Sequence, residues 1–215
     1  MLRNVISNDL FTILIVVGLI LITIAKILFT KRFHEFVQVL GNSKYLKIYS
    51  KDQKFFDLFD GLLFINFVLA ITIFSFITYN HLTVDLELSA VVLLKFAAIV
   101  AIFFIMKTLI ERLIGSVFEI DFLIENYLFQ KISYKNFLGL LIMPLNAILI
   151  YGLFVGNVVI YGIWALILLI FIIGIITTVK TYQNLIKQNM FYFILYLCTL
   201  EIAPYIILYQ MAINV

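Results

Sequence analysis

The chain has 215 residues, 65% of them hydrophobic and 13% charged, with a formal net charge of +3 and a mean hydropathy of +1.16. Soluble domains carry about 25% charged residues, so a water-soluble core is excluded and the bilayer is the expected solvent. The length suits one domain, residues 1–215, and the lone Cys198 excludes a disulfide framework.

The first apolar run spans residues 9–30. Arg3 precedes it, and Lys26 and Lys31-Arg32 close it. No small-x-small cleavage pattern follows, so it reads as a retained span rather than a secretion signal. The connection 31–57 holds six basic residues against Glu35, Asp52 and Asp57, a net +3. Phe33, Phe36, Val37 and Leu40 share one helix face there, and Gly41-Asn42 supplies a stop.

The second span covers 58–79 and the third 87–110, separated by a connection without Lys or Arg. Ala90, Ala97 and Ala101 form a small-residue stripe on the third span, which permits close approach of another helix. Lys95 points away from that stripe by helical-wheel geometry, so the third span is expected to contact protein on two faces and to sit centrally. The connection 111–135 has three basic residues against four acidic ones, a net −1. Aromatic residues interleave with its acids. Short amphipathic interfacial helices are expected in both long connections. Their opposite net charges predict that the two connections touch.

The fourth span covers 136–155 and contains Pro144, which removes the donor for the Leu140 carbonyl and marks a candidate helix break. A Gly156-Asn157 turn leads to the fifth span, 158–180. The last span, 190–212, holds Glu201 near mid-bilayer and Pro204 three residues later, a second candidate break that frees the Leu200 carbonyl. The fold class is therefore all-α: a polytopic transmembrane bundle of six spans with short amphipathic cytoplasmic segments. Lys and Arg concentrate in alternate connections, which by the positive-inside rule puts both termini outside the cytoplasm.

Motifs for chemistry are missing. The sequence has no His-Glu-x-x-His, Cys-x-x-Cys, Gly-x-Ser-x-Gly or phosphate-binding glycine loop. His34 and His81 fall on opposite sides of the membrane in this topology. No enzyme, cofactor, metal or nucleic-acid partner is expected. The intramembrane polar cluster read from the sequence is Lys95 with Glu201. A carboxylate at that depth has a partner or a task. It is a proton- or ion-linked group, half of a Lys95–Glu201 pair, or a neutral acid hydrogen-bonded in the bundle.

Tyr134-Lys135-Asn136-Phe137-Leu138, Met143-Pro144-Leu145-Asn146 and the run from Phe191 through Glu201 to Pro204 resemble an uncharacterised Bacteroidota membrane family, a domain of unknown function. That resemblance implies the inner membrane of a Gram-negative cell and supplies no activity. The chain is more faintly similar to Yip1-like membrane domains, which have no enzyme site. Abundant Ile, Phe, Lys and Asn beside little Ala fit a low-GC bacterial origin. The expected role is an accessory or scaffold subunit of a larger inner-membrane assembly, in envelope biogenesis or protein export. Its partners would be the lipid bilayer and other membrane subunits. The alternative is a small proton- or ion-linked transporter or channel using Glu201.

Overall fold

The computed structural model is all-α and describes residues 9–41, 44–50, 57–82, 89–118, 121–152 and 157–188. The helices are α1 (Asp9–Leu28), α2 (Thr30–Val37), α3 (Lys44–Tyr49), α4 (Leu58–Leu82), α5 (Ala90–Val117), α6 (Asp121–Tyr151) and α7 (Asn157–Gln188). Five of these, α1, α4, α5, α6 and α7, are long and apolar enough to cross a membrane. The expected sixth span, 190–212, lies outside the described residues.

Local chemistry sets the helix starts. Asp9 stands in the first turn of α1 and Lys26 in its last, each matching the helix dipole. Asp57 caps α4 by accepting a hydrogen bond from the Phe59 N–H at 3.2 Å. Ser89 caps α5 by accepting from the Val92 N–H at 3.3 Å.

Ring contacts give the helix directions. Phe11 meets Phe76 and Phe29 meets Phe59, so α1 runs antiparallel to α4. Phe96 meets Phe76, and Phe104 meets Phe67, so α5 is also antiparallel to α4. The Asn136 amide donates to the Asp60 carbonyl at 3.3 Å and the Asn146 amide to the Ala70 carbonyl at 2.8 Å. Both partners advance by ten residues, so α4 and α6 are parallel neighbours. One end of the bundle therefore gathers the C-termini of α1 and α5 with the N-termini of α4 and α6. It carries most of the charge. At the other end, Thr12 of α1 and Tyr151 of α6 share a hydroxyl hydrogen bond.

α4 and α6 are the central pair, each more than half buried, whereas only 11% of the apolar stretch of α5 is buried. This corrects the expectation that the third span is central. Ala97 and Ala101 do pack against the core, but Ala90 and Lys95 are exposed. The close approach instead belongs to Gly139 of α6. A Cβ there would stand 2.5 Å from the Phe67 Cα. Gly18 of α1 is a second notch, filled by Met143 and edged by Asn66.

The connections differ from expectation in one case. In 31–57, two short helices form, and Phe36 is buried with Phe33 and Leu40 half-buried. Val37 is exposed and Val39 is buried in its place, because α2 ends at Val37 and the chain turns. In 111–135 there is no separate interfacial helix. α5 runs on to Val117 and α6 starts at Asp121. That stretch contains no proline, and its single glycine, Gly115, packs on Ile124 instead of ending a helix. At 31 residues and 1.5 Å per residue, α6 is about 46 Å long and overshoots the roughly 30 Å hydrocarbon layer. The helix continues through Pro144, which is exposed.

Gly139→Ala should destabilise the protein by about 1–3 kcal/mol, because the added methyl meets backbone that cannot move aside. Gly162→Ala, where nothing lies within 4 Å, should be neutral or stabilising by up to about 1 kcal/mol. Thermal unfolding of both variants in detergent would check the opposite signs.

Candidate functional site at the charged end of the bundle

Phe36 organises this end. It is fully buried and packs edge-on to Tyr45, Phe59 and Phe137 at 5.5, 5.6 and 6.1 Å. Tyr45 in turn stacks on Phe129 at 5.7 Å. Rings from α2, α3, α4 and α6 thus fold the first connection onto the bundle. The two long connections touch as expected, but through aromatic faces, Tyr45 on Phe129, while Arg32 pairs with Asp57 and Arg112 with Glu125 inside their own connections.

Arg32 is the charge held inside this box. It projects from α2 between the rings of Tyr49 and Phe59, 4.9 and 4.6 Å from their centroids. Its Nη1 pairs with Asp57 and its Nη2 with Asp60 Oδ2 at 2.8 Å. The three side chains are only 14%, 25% and 12% exposed. Asp57 serves twice, capping α4 and pairing Arg32. Asp60 lies three residues on, on the same helix face.

Burial opposes the Arg32 charge, but the Asp60 carboxylate and the Asp57 hydrogen bond outweigh it and hold the guanidinium pKa above its ordinary value. Burial, reinforced by Asp60, pushes the Tyr45 hydroxyl up as well. Arg32 therefore stays charged and Tyr45 stays neutral at physiological pH, so neither exchanges a proton. Burial and Glu35 likewise raise Tyr49. The Tyr45 hydroxyl faces Arg32 and Ser133 without reaching hydrogen-bonding geometry.

A second charged cluster sits between α5 and α6. Glu111 is completely buried and accepts from Lys131 Nζ at 2.5 Å. Lys107, one turn before Glu111 on the same face, is also buried. Lys135 lies over the Phe104 ring at 4.5 Å, and Arg112 pairs with Glu125 at 3.1 Å on the surface. Among the described residues, no group of three or more His, Cys, Asp or Glu could hold a metal.

Residues 11–212 match the profile of DUF4271, a domain of unknown function. The chain belongs to this DUF4271 family. No curated protein and no solved structure matches it. The family assignment covers nearly the whole chain, so the charged end and the central helix pair both lie within the domain.

The residues singled out from sequence fall elsewhere. Lys95 lies five residues into α5, about 8 Å from its start, exposed and at the end of the bundle opposite Arg32. Glu201 and Pro204 lie outside the described residues. Sequence reasoning missed Arg32, Asp60 and Lys107. The available signal was Asp57-Leu-Phe-Asp60 at the head of the second span, two carboxylates on one helix face. They follow a connection whose only arginine is Arg32.

Arg32→Met should cost about 3–5 kcal/mol, since it strands two poorly exposed carboxylates. Combining it with Asp60→Leu should recover part of that loss. A double-mutant cycle on melting temperature measures the coupling; additive losses would deny a direct pair.

Proposed function

We propose that this is a non-enzymatic integral membrane protein that works by contact, as an accessory or scaffold subunit of a larger inner-membrane assembly in envelope biogenesis or protein export. One observation carries the reading. The charged end is committed to holding α2 and α3 in place: Arg32 joins α2 to the head of α4, and Phe36 and Tyr45 fix both short helices on α6. Lys31, Val37, Lys47 and Ile48 are left exposed on the outer side. A surface that mixes apolar and basic groups on a fixed frame suits recognition of a partner subunit.

The setting assumed is a Bacteroidota inner membrane with the charged end in the cytoplasm and both chain termini in the periplasm. The helix directions support it, because they bring the Lys- and Arg-rich connections to one end. Engineered cysteines near residues 81 and 213 should then label from outside. Labelling of 44 or 183 from outside would overturn the orientation.

Purification from native membranes in mild detergent should give co-eluting membrane proteins. Lys31→Glu with Lys47→Glu should reduce them while leaving the melting temperature unchanged. Elution of the chain alone, under conditions that preserve other membrane complexes, would sink the accessory role.

A second reading is a small proton- or ion-linked transporter or channel using Glu201. It is favoured by the buried amides of the central helices, Asn66, Asn136 and Asn146. In that case Glu201→Gln abolishes flux in proteoliposomes without loss of stability. If Glu201 pairs with Lys95 instead, Glu201→Gln lowers stability and Lys95→Met with Glu201→Leu restores it.

A further inference from the structure

Lys107 is buried on α5, a helix whose apolar stretch is mostly exposed. It belongs to a cationic face shared by α5 and α6. Lys107, Lys131 and Lys135 stand there with Glu111, whose carboxylate accepts from Lys131. Charge of one sign at a bilayer edge favours a further group of the opposite sign. The chain beyond Gln188 has one to offer. Glu201 is the only charged side chain in residues 189–215, which lie outside the described residues.

Contacts give the heights of the groups along the bundle. Lys107 precedes Glu111 by one turn on α5, away from the charged end. Glu111 meets Lys131, and Tyr134 lies three residues past Lys131 on α6, in the same direction. A Cβ on Gly174 of α7 would stand 3.3 Å from the Tyr134 ring. Lys107, Tyr134 and Gly174 therefore share one height to within about a turn, roughly 5 Å.

The direction of α7 follows in the same way. Trp164 meets Phe74, deep on α4, so α7 runs from there past Tyr134 toward the charged end. It continues fourteen residues beyond Gly174, to Gln188. A helix that turns back there regains the height of Gly174 after about fourteen residues more, near residue 202. Glu201 is thirteen residues past Gln188. Tyr134 and Lys135 are adjacent on α6 and so about 100° apart around it. α7 and α5 thus flank α6 on neighbouring sides, and a segment leaving α7 at the charged end reaches α5 without crossing the bundle.

We propose that the span 190–212 docks on the cationic α5–α6 face, with the Glu201 carboxylate paired to the Lys107 ammonium. Pro204 leaves the Leu200 carbonyl without its helix donor, which gives that ammonium a second acceptor beside Glu201. Lys95 lies twelve residues before Lys107, about 18 Å further along α5, and is out of reach of a carboxylate at this height. The inference goes beyond the accessory role and does not rest on it. For the transport reading it moves the carboxylate from mid-bilayer toward the charged end.

Disulfide trapping with copper phenanthroline in native membranes tests the docking on a Cys198→Ser background. The returning span is antiparallel to α5, so Phe103, one turn before Lys107, should face Tyr205, one turn after Glu201. Phe103→Cys with Tyr205→Cys should cross-link about tenfold or more faster than Val91→Cys with Tyr205→Cys, because bridged Cα atoms lie within about 7 Å. Val91 has the same place relative to Lys95. A charge swap tests the pair itself. Glu201→Lys should lower the melting temperature, and adding Lys107→Glu should recover about 4 °C or more, whereas adding Lys95→Glu should not. Faster trapping at Val91, trapping at neither position, or rescue by Lys95→Glu overturns the proposal. The cysteine pairs leave both charges in place, so trapping decides it even where a charge variant fails to fold.

Discussion

Two side-chain hydrogen bonds from α6 to the backbone of α4 set the frame of this bundle. The Asn136 and Asn146 amides reach carbonyls ten residues apart on α4, and they are themselves ten residues apart. Equal spacing fixes both direction and register. Each carbonyl has a second lone pair for such a bond while it serves its own helix. Between these bonds Gly139 brings the two backbones together at Phe67. Parallel neighbours in a membrane need a return crossing between them, and α5 supplies it. Because the central contact is already made by α4 and α6, α5 is left on the flank. Its surface of Ile, Leu and Met faces outward.

The charged end follows from that frame. Parallel α4 and α6 bring Asp60, in the first turn of one helix, beside Asn136, in the middle of the other. α6 therefore extends well past the start of α4, and its N-terminal half forms a wall. Phe129 and Phe137 on that wall receive Tyr45 and Phe36. α2 and α3 then have a surface to fold against, and Arg32 is carried to a position where it meets both Asp57 and Asp60. Removing solvent from a guanidinium is costly unless carboxylates and rings replace it, and here two of each do so. The ion pairs therefore specify where α2 lies more than they add net stability.

The sequence made the class and most of the spans legible, because apolar runs of bilayer length leave few alternatives. Helix ends were less legible. The 111–135 stretch carries charges that read as a loop, yet nothing in it breaks a helix, and a helix satisfies its own backbone on either side of the membrane boundary. The polar site was hidden for a different reason. Asp60 sits at the edge of an apolar run and looks like a boundary residue, and Arg32 looks like one more basic anchor in a net +3 connection. Only the fold shows that Arg32 turns inward while Lys31 and Lys47 do not. The i, i+3 spacing of Asp57 and Asp60 was the readable clue.

Which helices become neighbours is the part hydropathy does not encode. In lipid, an Ile face gains little by leaving one apolar surround for another, so small residues and polar side chains decide the packing. The most apolar helices here, α1 and α7, are mostly exposed, and the least apolar of the five spans, α6, is at the centre. The two least apolar spans, α4 and α6, thus form the buried pair, and the three more apolar ones lie outside them. The same logic explains why the alanine stripe on α5 did not centralise that helix. Alanines permit approach, but they offer a partner no hydrogen bond, whereas the Asn136 and Asn146 amides on α6 bind the α4 backbone directly. Where both a notch and an amide lie on one face, as Gly139 and Asn146 do, the contact is close and its register is set.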